Sequence, residues 1–95
     1  DKPPEPVGGL AAIQKRLRYP KKAKDSGIEG TIIMNVTVGR RGQVTSTEVL
    51  ESFGNEECER AAIRAIKNTR WKAAKKGKKS IEAEVEVPVE FTLKN

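Results

Sequence analysis

Glu82, Glu84, Glu86 and Glu90 stand at even spacings near the end of this chain. Carboxylates repeated on one face are what general acid–base chemistry would use. They sit, however, in an alternating apolar–polar segment, and polar positions on the solvated face of a strand account for them better. Nucleophiles fare no better. Ser26, Ser46, Ser52 and Ser80 have no histidine to activate them, because the chain contains none. The single cysteine, Cys58, falls on the apolar stripe of a predicted helix, and one cysteine cannot form an intrachain disulfide. No metal-ligand spacing occurs, and no phosphate-cradling glycine loop lies between a strand and a helix. The residues argue against catalysis, and no cofactor or metal is expected.

Nucleic acid is the next candidate. Gly39-Arg40-Arg41-Gly42 has the composition of the basic loop that clamps nucleic-acid backbone in KH domains, but there it joins helices. Here strand periodicity flanks it on both sides, which makes it a hairpin turn. No strand carries paired exposed aromatics for stacking bases. The net charge is +6, with eight basic residues and no acidic ones from Arg64 to Lys79 and six more from Lys15 to Lys24. This pattern is expected to be a solvated surface that steers acidic partners without holding them. A nucleic-acid partner is not expected.

The elements follow from spacing. Ninety-five residues make one domain, with no apolar run near the ~20 residues of a membrane-crossing helix. Residues 1–8, opening on Asp1 to Pro6, read as the end of a proline-rich extended linker, with the domain at 9–95. Leu10, Ile13 and Leu17 recur at helical spacing in a first helix, which Tyr19-Pro20 interrupts. Pro20 can open a second short helical turn that Gly27 closes. Ile32, Met34, Val36 and Val38 alternate in a first strand of about eight residues. A second runs from Val44 to Glu51, with a bulge expected near Thr45 to Thr47, where Val44 and Val49 fall out of step. Asn55 caps a helix whose buried stripe is Cys58, Ala61, Ala62, Ala65, Ile66 and Thr69. Trp71 covers the core at its exit, and a lysine-rich loop leads to Lys79.

The last strand is the most informative. Ile81, Ala83, Val85, Val87, Val89, Phe91 and Leu93 alternate with polar residues, and Pro88 lies among them. Proline cannot donate to a ladder, so Pro88 belongs to an edge strand. If the odd positions pair inward, Glu84, Glu86, Pro88 and Glu90 turn their backbone to the open side. The order α-β-β-α-β predicts an α+β fold. Its three-stranded antiparallel sheet, in the order 2-1-3, is packed on one face by two helices. The final strand, at about thirteen residues, should overhang its neighbour by some 15 Å. A long open edge suggests a strand-shaped partner.

Tyr19-Pro20, Ala23 and Gly27-Ile28-Glu29-Gly30 running into an alternating strand resemble the C-terminal domain of TonB energy transducers. The resemblance continues through Val38, Gly42, Val44, Ser52, Gly54, Ala62 and Trp71 to Val87-Pro88-Val89 and Phe91. Two departures are visible: Ala73 stands where the family has a proline, and the helix exit Asn68-Thr69-Arg70-Trp71 is longer. The resemblance implies a periplasmic domain, anchored in the inner membrane in the full-length protein and energised by ExbB and ExbD. It would transmit proton-motive-force-derived energy for substrate uptake by binding the TonB box of an outer-membrane transporter as an added strand. It places that peptide along Glu82, Glu84, Val85, Glu86, Val87, Pro88, Val89 and Glu90, with Arg16, Arg18, Tyr19 and Pro20 close by. Gly27, Gly30, Gly42, Gly54, Ala62 and Trp71 become structural positions. A homodimer by strand exchange is a further expectation. The alternatives are a TolA-like domain or another periplasmic tether of the same fold.

Overall fold

The computed structural model describes residues 1–93. In chain order its elements are β1 (Glu5–Pro6), α1 (Leu10–Arg16), α2 (Lys21–Asp25), β2 (Gly30–Val38), β3 (Val44–Glu51), α3 (Glu56–Asn68), β4 (Trp71–Lys72), β5 (Ala74–Lys76), β6 (Lys79–Ile81) and β7 (Ala83–Phe91). The central sheet has the order β3-β2-β7, antiparallel at both junctions, which is the expected 2-1-3 arrangement. Strand β7 is therefore an edge.

Alternation decides which face is dry. Ile32, Met34, Val36 and Val38 of β2 are buried, as are Val87, Val89 and Phe91 of β7, and the register sets Ile32 against Val89 and Met34 against Val87. All three helices pack on this one face, contributing Ile13, Ala23 and the stripe of α3 to a single core. In α3 the stripe is as expected: Cys58, Ala61, Ala62, Ala65, Ile66 and Thr69 are all buried. Burying Ile66 alone favours folding by about 1.5–3 kcal/mol. The Asn55 side chain caps α3 by accepting the Cys58 N–H at 3.0 Å, with Glu56, Glu57 and Glu59 favourably placed in the first turn.

Two expectations about local packing need correcting. Leu10, placed on the buried side of the first helix, is 46% exposed; α1 begins only at Leu10, so that residue lies at its frayed end while Ile13 carries the burial. The lysine-rich stretch after Trp71 is not merely a loop. It pairs β5 with β6 around Gly77, whose φ of 62° makes the tight reversal.

That hairpin takes away one end of the expected overhang, and the strand stops at Phe91, short of Thr92 and Leu93, at the other. Ile81 keeps the apolar alternation of the last strand but belongs to β6, and the strand is interrupted at Glu82. Strand β7 has nine residues and β2 also has nine, matched end to end from Gly30 opposite Phe91 to Val38 opposite Ala83. Hydrogen-bond pairing ended the strand where hydrophobic phase did not. On the other flank the expected irregularity in β3 is present. Thr45 has no partner between the pairs Thr37–Ser46 and Val38–Val44, and Leu50 is skipped in the same way.

Residues ahead of α1 are extended, as proline dictates, and they are docked. Lys2 and Lys75 exchange both backbone hydrogen bonds, the Val7 N–H donates to the Arg70 carbonyl at 2.8 Å, and Pro4 is fully buried. The packed body thus starts before Gly9. Two glycines hold the frame for steric reasons. Gly42 has φ +81°, and a Cβ there would lie 2.5 Å from the Trp71 carbonyl oxygen; at Gly30 it would lie 2.4 Å from the Phe53 ring. Gly27 closes α2, and Gly54 leads into the cap of α3.

Candidate functional site

The outer edge of β7 is the feature this fold leaves unfinished. In an antiparallel strand, the backbone groups of alternate residues point to opposite sides. Glu90 fixes the phase, because its N–H and C=O both face away from β2. The β2–β7 register is unbroken, so Glu84, Glu86 and Pro88 face the same way. Among the described residues, no hydrogen bond goes to the outward groups of these three. Pro88 lacks the N–H that would otherwise stand unpaired there. The expected parity of the strand is the one observed.

Side chains give the edge two unlike faces. Val85 and Val87 point toward the helices, and Val87 and Val89 are buried there. Glu82, Glu84, Glu86 and Glu90 lie on the exposed face. The Glu84 carboxylate accepts from Asn35 Nδ2 at 3.1 Å, and that of Glu82 accepts from Thr45 Oγ1 at 3.2 Å. Their role is a hydrated, acidic sheet face next to the open backbone. Among the described residues no His/Cys/Asp/Glu group could hold a metal ion, and no helix is long and apolar enough to cross a membrane.

Sequence reading missed one residue of the site. Gln14, exposed on α1, donates from Nε2 to the Glu90 carbonyl at 3.0 Å and accepts the Glu90 N–H on Oε1 at 2.8 Å. The two residues lie 76 positions apart, and no periodicity signals such a contact.

The residues around Tyr19-Pro20 lie on the helix side of the sheet, against the end of β7. The Tyr19 ring meets Phe91 edge-on, with centroids 5.4 Å apart, and its hydroxyl donates to the Ile28 carbonyl. Burial raises the Tyr19 phenol above its ordinary value, and the nearby Glu29 carboxylate adds to the shift. Glu29 in turn accepts the Leu93 N–H, fastening the chain beyond β7. Arg18, Tyr19 and Pro20 line a cleft of about 230 Å³ with Arg60 and Arg64, whereas Arg16 turns back to the Ala12 carbonyl at 3.3 Å. Structure therefore brings Arg18, Tyr19 and Pro20 together on the helix side, away from the acidic face. Ala62 is buried in α3, and Trp71 is buried with its indole N–H donating to the Ile66 carbonyl at 3.0 Å.

Comparison with known proteins bears on the fold and the family. The family model described as Gram-negative bacterial TonB protein C-terminal matches residues 15–93. Protein tonB2 of Pseudomonas aeruginosa is 36% identical over 75 residues, which is 79% of this chain and 28% of that protein. Protein TonB of Vibrio cholerae is 28% identical over 84 residues, covering 88% of this chain and 34% of its own length. The chain thus spans about a third of the curated relatives it matches. The NMR structure of the Helicobacter pylori TonB C-terminal domain (residues 179–285) superposes with a TM-score of 0.69 at 28% identity, covering 90% of this chain and 77% of that one. The Pseudomonas aeruginosa TonB C-terminal domain shares the fold, with a TM-score of 0.71 at 22% identity over 100% of this chain and 91% of that one. With the family model matching residues 15–93, most of its length, the chain belongs to the family of Gram-negative bacterial TonB C-terminal domains.

Proposed function

We propose that β7 takes up a short extended segment of an outer-membrane transporter, the TonB box, as an added strand in the periplasm. The observation that carries this reading is the run Glu84–Pro88, whose outward backbone groups have no partner among the described residues. Backbone hydrogen bonds supply the affinity, and the alternate side chains of the segment select the partner. Its apolar residues would extend the row of Val85 and Val87, and its polar ones would lie beside Glu84 and Glu86. The full-length protein, in this reading, is anchored in the inner membrane and driven by ExbB and ExbD. Tension on the paired strands then passes proton-motive-force-derived energy to the transporter for substrate uptake. The same edge offers a route to a homodimer by strand exchange at high concentration.

Titration with a TonB-box peptide, followed through backbone amide shifts, tests the reading. Shifts should centre on Glu84–Pro88, and the Glu84 and Glu86 amides should gain protection from exchange. Shifts centred instead on the cleft of Arg18, Arg60 and Arg64 would move the site off the edge.

A further inference from the structure

We propose that the Gln14 side chain is a built-in stop that ends an added strand short of Glu90; this rests on strand addition at β7. A carboxamide carries one carbonyl acceptor and an N–H donor, the pair that a backbone residue presents to its neighbour. Gln14 uses both on Glu90, at 3.0 and 2.8 Å. That is the two-bond exchange of a hydrogen-bonded antiparallel pair, made by a side chain instead of a strand. It occupies the place that the partner's backbone would need at Glu90.

The position along the edge matters. Two residues earlier Pro88 offers a carbonyl but no N–H, so among the described residues the open side of β7 has unoccupied N–H donors only at Glu84 and Glu86. With Glu90 already satisfied, a partner strand is confined to Glu84–Pro88. Ile13, buried next to Gln14, holds α1 on the core and fixes the amide beside the strand. Gln14 itself is exposed, so it can be removed without opening the core. It therefore sets the length and register of the bound segment, and it shields the end of an edge that could otherwise zip to another copy.

The test compares native protein with Gln14→Ala and Gln14→Asn, whose amide is one methylene too short to bridge. The probes are acetylated and amidated peptides of alternating Thr and Val, five and nine residues long, titrated by NMR. The nine-residue peptide should bind the two variants about tenfold more tightly than native protein, with the five-residue peptide unchanged. In unliganded Gln14→Ala, the Glu90 amide should exchange at least about tenfold faster. Equal gains for both peptides, no gain for the longer one, or an unaltered Glu90 amide would overturn the stop while leaving strand addition standing. Binding of neither peptide to any of the three proteins would overturn strand addition and the stop together.

Discussion

Pro88 lies directly opposite Ile33 in the register that joins β7 to β2, and its nitrogen faces the open side of the sheet. A proline is tolerated there because the ladder asks nothing of that nitrogen. Neighbouring positions differ in a way that can be measured. Val87 pairs with Met34 and turns its N–H inward, whereas Glu86 turns its own outward. Val87→Pro should abolish the cooperative thermal transition. Glu86→Pro should keep it, with a stability change within about 1 kcal/mol, and should weaken peptide binding about tenfold. Equal loss of stability in both would show the two sides of the strand to be exchanged.

The acidic face next to the open edge should read the charge of its partner. A peptide alternating Lys with Val would set cations beside Glu84 and Glu86, while its Glu–Val counterpart would set like charges there. Two cross-strand pairs at about 0.5 kcal/mol each amount to roughly fivefold in affinity relative to a neutral peptide, in opposite directions for the two, so their affinities should differ by about thirtyfold. Calorimetry at 20 mM and 1 M salt checks this, because screening at the higher salt should bring the ratio close to one.

Cys58 should behave as core. Burial is the main cause that raises its thiol above the ordinary value of 9.0, with Glu57 and Glu59 adding repulsion to the thiolate. An acid with a raised folded-state pKa contributes stability that is whole below the unfolded value and is lost as pH climbs through the folded one. Urea melts should therefore weaken above about pH 9, and Cys58→Ala should remove that part of the slope. The same change should cost about 1 kcal/mol at neutral pH, as a small cavity does. Labelling by a thiol reagent should be far slower in native protein than in urea.

Gly42 and Gly54 both have positive φ, +81° and +87°, but only Gly42 faces an obstacle, the Trp71 carbonyl. Gly54→Ala should cost about 1 kcal/mol for the left-handed backbone alone. Gly42→Ala adds a clash with backbone and should cost about 3 kcal/mol or more. Chemical denaturation of both variants separates the two contributions.

Periodicity made β2, α3 and β7 readable, because each has one dry face and repeats its apolar residues at the matching interval. Pro88 and the crossover through α3 then placed β7 at the edge. What escaped notice has physical reasons. Strands β5 and β6 carry Lys75, Lys76 and Lys79 and bury little apart from Ala74, so no alternation announces them. Ile81 stayed in phase with Val85 although a hairpin had taken it away, and this produced an overhang that does not exist. Gln14 was invisible because its partner is main chain from the far end of the sequence, and main chain has no letter. Leu10 suited the helical stripe, but a stripe does not say where the first turn frays.

The docked segment ahead of α1 has a mechanical consequence. A pull on the backbone at Asp1 first meets the short ladder formed by Lys2 with Lys75 and by β1 with β4, well before it reaches the nine-residue pairing of β2 with β7. Those few bonds should release at lower load than the central sheet. The residues up to Gly8 would then come free as a tether about 25 Å long. In a protein under tension the first event would be a lengthening leash, with the folded domain and anything held on its edge still intact.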